Sequence, residues 1–370
     1  MKVREGLMLF LLFIILLVPP IIVIIAEVSQ DNSYSDIKKY PLAKNSGPIR
    51  FHLIGDFGDL EAPKTNNSEP VELVSQTMEN QAKQRPISFI ISAGDNVYPH
   101  SASNFDQTLF KLMYKTFDIQ QLKGKPWFAV LGNHDCVVDS EFEINADELY
   151  PMWNMPTHYY NFSINIGNEK LVGLTFLDGC ILLGNDQKKI DEQYQWLKQV
   201  LSDQENDSNT IWKIVTVHMP MWSPGEYHGD NEVLKLYLYP ILFQYNVDLV
   251  LTGHEHLMAH YVSLNVNGKP QTYEPLPSQN YSCTSDEIVF YNDASDWIQG
   301  EAMHEVVQGA GGRELYKVCP EKVTSMADLL YAWSNYGFTE IYVDTEKIHI
   351  YYFVAGNELP SYTVRIFTSS

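Results

Sequence analysis

The chain has 370 residues, 45% hydrophobic and 19% charged, which excludes a disordered polypeptide and leaves room for one large α/β domain or two smaller ones. A formal net charge of -21 argues against a partner as anionic as nucleic acid, because phosphate neutralisation needs clustered Lys and Arg. The same charge suits a soluble protein of an acidic compartment, where carboxylates partly protonate and their mutual repulsion falls.

Residues Leu7 to Ala26 are an unbroken apolar run, LMLFLLFIILLVPPIIVIIA, with Lys2 and Arg4 before it and Glu27 after it. A run of that length can span a bilayer, and the two cations would hold the N-terminus in the cytosol. Pro19-Pro20 divides it into an apolar twelve and a short tail, a shape that also reads as a secretory signal cleaved near Ala26. Residues 1–26 are therefore a signal peptide or a signal anchor, and membrane association through Leu7–Ala26 follows from the second. Either way the body of the protein is expected in the secretory pathway: secreted, in a lysosomal or vacuolar lumen, or anchored as a type II membrane protein. Sequons at Asn66, Asn161, Asn206 and Asn280 agree with a glycoprotein. Cys136, Cys180, Cys283 and Cys319 permit two disulfides in any of three pairings, and none has the Cys-x-x-Cys spacing of a zinc or redox site. Cys136 is either a packing thiol or the pin of a loop.

Residues 27–48 read as a polar linker. Strand and helix then alternate. Buried strands are expected at Ile49–Ile54, Ile87–Ser92, Trp127–Leu131, Leu171–Leu177, Trp212–Val217 and Leu249–Thr252, each a short apolar run bounded by Gly or polar residues. Helices are expected at Glu69–Gln84, Lys189–Gln204 and Glu232–Tyr245. A segment of about 262–306, rich in Ser, Asn, Pro and acidic residues, reads as an insertion, either a lid or a surface excursion. Phe338–Val343 and Ile348–Phe353 read as a hairpin around Asp344-Thr345-Glu346-Lys347. The domain is expected to cover 49–357, with a C-terminal tail over 358–370. The pattern is one layered α/β domain of βαβ units with antiparallel additions.

Five polar clusters follow apolar runs: Gly55-Asp56-Phe57-Gly58, Gly94-Asp95-Asn96-Val97-Tyr98, Gly132-Asn133-His134-Asp135, Val215-Thr216-Val217-His218 and Gly253-His254-Glu255-His256. In open α/β sheets ligands gather beyond the carboxyl ends of the strands, where all five lie. The candidate ligands among them are two carboxylates (Asp56, Asp95), a phenol (Tyr98), an amide oxygen (Asn133) and three imidazoles (His218, His254, His256). Hydrolysis of a phosphate ester is slow enough in water that enzymes accelerate it by up to ~10²¹. Two metals about 3.5–4 Å apart meet that demand by clamping phosphoryl oxygens and ionising a water. One ligand must bridge them, and Asp95 is the candidate. The glycines before Asp56, Asp95, Asn133 and His254 are expected to let the backbone turn sharply and aim the next side chain at the metals.

The ordered series GDFG, GDNVY, GNHD, VTVH and GHEH resembles the metallophosphoesterases, and Tyr98 makes it similar to the purple acid phosphatases of the tartrate-resistant type, over roughly Phe51 to Phe353. His218-Met219-Pro220-Met221-Trp222-Ser223 and Gly309-Ala310-Gly311 extend the match. The resemblance implies a sandwich of two mixed β-sheets flanked by helices. It implies Fe(III) held by Asp56, Asp95, Tyr98 and His256, and a divalent iron, zinc or manganese held by Asp95, Asn133, His218 and His254. Oxygen-rich donors suit Fe(III) chemically. A phenolate on Fe(III) would colour the protein. His134 and His228 would orient the phosphate and protonate the leaving alkoxide, and a metal-bound hydroxide would attack phosphate monoesters. The chain departs from the pattern at Asp59, where Gly is usual, and in the span from His218 to His228, which is one residue longer; the acidic loop of the mammalian type is missing between Gly184 and Gln193. Rival readings are a phosphodiesterase, nuclease or protein phosphatase on the same scaffold, and a membrane-tethered, non-catalytic scaffold protein that has kept the fold.

Overall fold

The computed structural model describes residues 47–58, 70–101, 103, 107–264, 282–284, 289–290, 296–319 and 326–369. The Leu7–Ala26 run, linker residues 27–46, Asp59 and the sequons at Asn66 and Asn280 lie outside the described residues. Among the described residues no helix is long and apolar enough to cross a membrane.

The first strands carry the site. β1 (Ile49–Ile54), β2 (Phe89–Ser92) and β3 (Trp127–Ala129) are almost wholly buried and run parallel, as strands do when helices and a second sheet cover them. β2 and β3 are short apolar runs, and β1 buries Ile49, Phe51 and Leu53 on one face while His52 on the other is buried against Glu340. β4 (Trp153–Asn154) extends this sheet on one side. β14 (Gly337–Val343), β15 (Lys347–Val354), β16 (Tyr362–Phe367) and β11 (Asp296–Ile298) extend it on the other, giving the order β11-β16-β15-β14-β1-β2-β3-β4. The second sheet contains β5 (Tyr160–Gly167), β6 (Lys170–Phe176), β7 (Thr210–Thr216), β8 (Leu249–Thr252), β9 (Met258–Leu264), β10 (Val289–Phe290), β12 (Ala302–Gln308) and β13 (Asp328–Trp333), in the order β10-β13-β9-β12-β8-β7-β6-β5. Both sheets mix parallel and antiparallel pairs, so the expected α/β sandwich of two mixed sheets is the architecture found.

Aromatic side chains join the sheets. Phe128 of β3 meets Phe162 of β5 across the sheets with ring centroids 4.6 Å apart, and within the first sheet Phe51 stacks on Phe89 at 4.8 Å. Each fully buried ring contributes on the order of 1.5–3 kcal/mol of hydrophobic stabilisation. Helices close the outer faces. α1 (Pro70–Gln84) begins with Pro, whose missing N–H costs nothing at a first helical position, and buries Val71, Val74, Met78 and Ala82 at helical spacing. α2 (Thr108–Phe117), α3 (Ser140–Ile144) and α4 (Gly179–Leu182) follow. α5 (Gln187–Asn206) is capped by Asp186, which accepts from the Lys188 and Lys189 N–H groups, and it buries Leu197, Val200 and Leu201.

Three expectations are corrected. The helix expected over Glu232–Tyr245 is two helices, α6 (Glu232–Tyr237) and α7 (Tyr239–Gln244), parting at Leu238, because Pro240 has no N–H to continue the first ladder. The tail expected over 358–370 contains β16, which pairs with β15 and β11; Val364 and Ile366 are buried on its inner face. The insertion expected over about 262–306 takes in the end of β9 and the start of β12, which are antiparallel neighbours inside the second sheet, so the excursion lies between Leu264 and Ala302. The remaining strands and the hairpin lie where expected to within a few residues. Of the three possible cysteine pairings, Cys136–Cys180 and Cys283–Cys319 are formed. The first pins the loop after β3 to α4.

Candidate metal centre

The parallel strands of both sheets end at the same place. β1, β2 and β3 deliver Asp56, Asp95 with Tyr98, and Asn133 with His134. β7 and β8, parallel in the facing sheet, deliver His218 and the pair His254 and His256. The seven residues expected to hold metal converge. The Tyr98 hydroxyl lies 2.8 Å from Asp95 Oδ2, 3.0 Å from Asp56 Oδ1 and 3.3 Å from His256 Nε2. Asn133 Oδ1 lies 3.1 Å from His218 Nε2 and 2.9 Å from His254 Nδ1. Asp56, Asp95 and His218 present ligand atoms all within 4.8 Å of one another.

The backbone achieves this at some cost. Asp56 (φ 57°), Asp95 (φ 51°) and His254 (φ 66°) occupy the left-handed region, each storing about 1–3 kcal/mol of strain. The expectation that the preceding glycines supply the turn is corrected: among those four only Gly94 (φ 94°) has positive φ. Gly132 serves a different need, since a Cβ there would lie 2.1 Å from Asp95 Oδ1. The loops are cross-tied. His254 N–H donates to Asp56 Oδ2 at 2.7 Å and His134 N–H to Asp95 Oδ1 at 2.9 Å. Asp135, fully buried, accepts from the N–H groups of Gly132, Asn96 and Val97 at 2.7, 2.9 and 3.2 Å, joining the second and third clusters.

The imidazole orientations state what the centre requires. His218 Nδ1 is 2.7 Å from the Ala93 carbonyl, and His256 Nδ1 is 2.7 Å from the Glu314 carbonyl. A carbonyl only accepts, so each Nδ1 carries a hydrogen and donates it. In the neutral ring Nε2 is then a lone pair. His218 Nε2 faces the Asn133 amide oxygen and, at 3.5 Å, Asp95 Oδ1; His256 Nε2 faces the Tyr98 oxygen and, at 3.4 Å, Asp56 Oδ1. Lone pairs aimed at oxygens need a positive species between them, a proton or a cation. Burial disfavours the charged form of His218, yet the Asp95 charge and hydrogen bond push it up to about 9. Burial likewise opposes ionisation of Asp95, and the His218 charge overrides it, holding the carboxyl below its ordinary range. His254, buried beside other imidazoles, is pushed well down. Tyr98 is raised well above 10 by burial and by the charges of Asp56 and Asp95, so this phenol ionises only beside a strong cation. Carboxylates, a phenol, an amide oxygen and backbone-locked imidazoles are a donor set that fits two metal ions.

His134 and His228 stand at the rim, both half-buried. The His134 ring lies 4.6 Å from the Tyr98 ring, and its Nδ1 lies 2.8 Å from the Pro99 carbonyl. The His228 ring lies 4.4 Å from that of His254. Two neighbours were not singled out in the sequence. Arg313 places its guanidinium 4.9 Å over the Tyr98 ring, and Tyr316 stacks on His256 at 4.1 Å. Their only local signal was the glycine run before them: Gly309 and Gly311 pass so close to Glu255 and Gly55 that a Cβ would sit 2.2 and 2.3 Å from those carbonyl oxygens.

Residues 49–258 match the family model described as calcineurin-like phosphoesterase. The chain is 25% identical over 306 residues to tartrate-resistant acid phosphatase type 5 of Homo sapiens, covering 75% of this chain and 92% of that protein. It is 30% identical over 238 residues to purple acid phosphatase 17 of Arabidopsis thaliana, covering 59% of this chain and 65% of that one. Among solved structures, GAP50, described as the anchor in the inner membrane complex of Plasmodium, has a similar fold, with a TM-score of 0.67, 20% identity, and coverage of 88% of this chain and 90% of that one. Purple acid phosphatase PPD1 of yellow lupin has a TM-score of 0.59 at 16% identity, covering 89% of this chain and 55% of that one. With the matched residues spanning both groups of strands that form the centre, the chain belongs to the calcineurin-like phosphoesterase family, with relatives among the purple and tartrate-resistant acid phosphatases.

Proposed function

We propose that this phosphoesterase-family chain is an acid phosphatase of phosphate monoesters. Asp56, Asp95, Tyr98 and His256 would hold Fe(III). Asp95, Asn133, His218 and His254 would hold a divalent iron, zinc or manganese, with Asp95 as the bridge. The observation that carries the reading is the pair of imidazoles whose Nδ1–H groups are fixed on the Ala93 and Glu314 carbonyls, leaving both Nε2 atoms directed at oxygens. Bound there, two cations would supply Lewis acidity toward a water and the phosphoryl oxygens.

The protein's own groups do the rest. Asp135 holds the second and third loops together, so Asp95 and Asn133 keep their separation. His134, braced by Pro99, would steady the phosphate from the Tyr98 side. His228, beside His254, would deliver the proton to the leaving alkoxide. Two disulfides fit an oxidising compartment, which supports a place in the secretory pathway: secreted, luminal, or anchored through Leu7–Ala26. Nucleic acid is not proposed as a partner, given the net charge of -21.

A second reading has one observation in its favour, the fold shared with GAP50, described as an anchor. On that reading the chain would be a membrane-tethered scaffold, although all seven donor positions are filled. Metal analysis together with phosphate release across pH, on protein lacking residues 1–26, separates the two. About two metal ions per chain and turnover of monoesters are expected for the phosphatase. A metal-free, colourless and inactive sample would overturn the phosphatase and favour the scaffold.

A further inference from the structure

The side of the centre beside His228 and His256 carries an aromatic step. Tyr316 lies nearly parallel to His256, with centroids 4.1 Å apart and planes 21° apart. Tyr227 meets Tyr316 at 4.7 Å and 67°, yet remains 69% exposed. The His228 ring lies 5.7 Å from Tyr316 and next to Tyr227 in sequence. Large apolar rings left this open next to a polar centre are candidates for ligand contact.

The step is braced. Glu226 N–H donates to the Lys317 carbonyl at 3.1 Å, Cys319 N–H to the Pro224 carbonyl at 2.8 Å, and Tyr316 N–H to the His256 carbonyl at 3.0 Å. Lys317 N–H also donates to Glu226 Oε1 at 3.0 Å. On the far side Thr284 and Val318 exchange backbone hydrogen bonds at 2.7 and 2.9 Å, beside the Cys283–Cys319 disulfide. The two loops that present Tyr227 and Tyr316 are thus held as a small ladder, with Cys283 and Thr284 fastened to its back.

We propose that Tyr227 and Tyr316 form a stacking subsite for a flat aromatic leaving group, a phenol ring or a nucleobase. The assignment rests on the phosphatase reading: with the phosphoryl group at the seven donors and the leaving oxygen beside His228, the organic part of the ester emerges against these two rings. Flat rings stack on tyrosine with useful energy and little ordering cost, because both faces are rigid.

The test compares an aryl with an alkyl ligand on the same phosphonate head, using the full metal-loaded protein. Benzylphosphonate should bind about tenfold more tightly than propylphosphonate by calorimetry, the order expected for one stacked ring. Tyr227→Ala and Tyr316→Leu should each bring that ratio toward one, and Tyr316→Phe, which keeps the ring, should preserve it. In turnover the effect should appear in KM rather than kcat, which separates stacking from the intrinsic ease of expelling a phenolate. Phenyl phosphate and AMP, each set against glycerol phosphate, tell a phenol from a nucleobase. Equal binding of the two phosphonates, or a preference that survives both ring deletions, overturns the subsite. A phosphonate preference with no phosphate released from any ester would keep the subsite and overturn the phosphatase reading.

Discussion

The Tyr98 hydroxyl sits 2.8 Å from Asp95 Oδ2, three residues upstream, and shares its single proton between that carboxylate and Asp56. One proton among three oxygens leaves excess electron density where His256 also points a nitrogen. Adding Fe(III) to metal-free protein should ionise this phenol and produce a visible absorption band. Tyr98→Phe should bind metal without the band. Retention of colour in the variant would move the chromophore elsewhere.

Asp95 is the carboxylate that both metals would share. Asp95→Asn and His218→Ala should each lower phosphate release by more than the 10–100-fold that removing an outer partner costs, with metal content falling by about one ion. Wild-type turnover from Asp95→Asn refutes the bridge.

His228 is placed as the proton donor, a role that contributes roughly 10²–10⁴ to rate. His228→Asn should weaken hydrolysis of alkyl phosphates far more than of nitrophenyl phosphate, whose leaving oxygen needs no proton. Equal losses on both esters would make His228 a packing residue.

The Cys136–Cys180 bridge closes a separation of 44 residues and restrains the loop that carries Asn133. Replacing both cysteines by Ser should cost about 2–4 kcal/mol in denaturant unfolding, the range for a closed loop of this size. Metal affinity should fall with it, because Asn133 loses its restraint.

Stability should fall as pH rises from about 6.5 to 8. Burial pushes Glu305 up to about 8 and Asp248 up to about 7, so in this window the folded chain holds protons that the unfolded chain has released. A raised carboxyl pKa gives stability that is complete below the unfolded value and lost as pH climbs through the folded one. Buried His260, lowered to about 3, and His304, lowered well below its ordinary value, act only below about 6.5, where the unfolded rings take up protons. Each fully differing group changes stability by about 1.4 kcal/mol per pH unit. Glu305 accepts the N–H groups of Met221 and Trp222 at 2.9 and 3.2 Å, so Glu305→Gln should flatten the melting temperature over this window. An unchanged slope would remove Glu305 as the source.

Much of the fold was legible because β2 and β8 are short, almost wholly apolar runs and β1 alternates Ile49, Phe51 and Leu53 toward one face. β16 was missed although Tyr362, Val364 and Ile366 alternate inward; the turn-forming stretch Gly356-Asn357-Glu358-Leu359-Pro360 before it reads as the end of a domain. The break at Leu238 was missed because apolar spacing continues smoothly across two consecutive helices.

Sequence alone determined which donors this protein owns and that each stands just past a strand, since Gly-Asp, Gly-Asn-His and Gly-His-x-His are short-range patterns that need no partner to be recognised. Only the tertiary structure decided how they are used. The Ala93 and Glu314 carbonyls that fix two imidazole tautomers, the choice among three cysteine pairings, and the step of Tyr227 on Tyr316 all join residues distant in the chain. Such relationships arise when two sheets meet at their strand ends, and no local spacing can encode the geometry of that meeting.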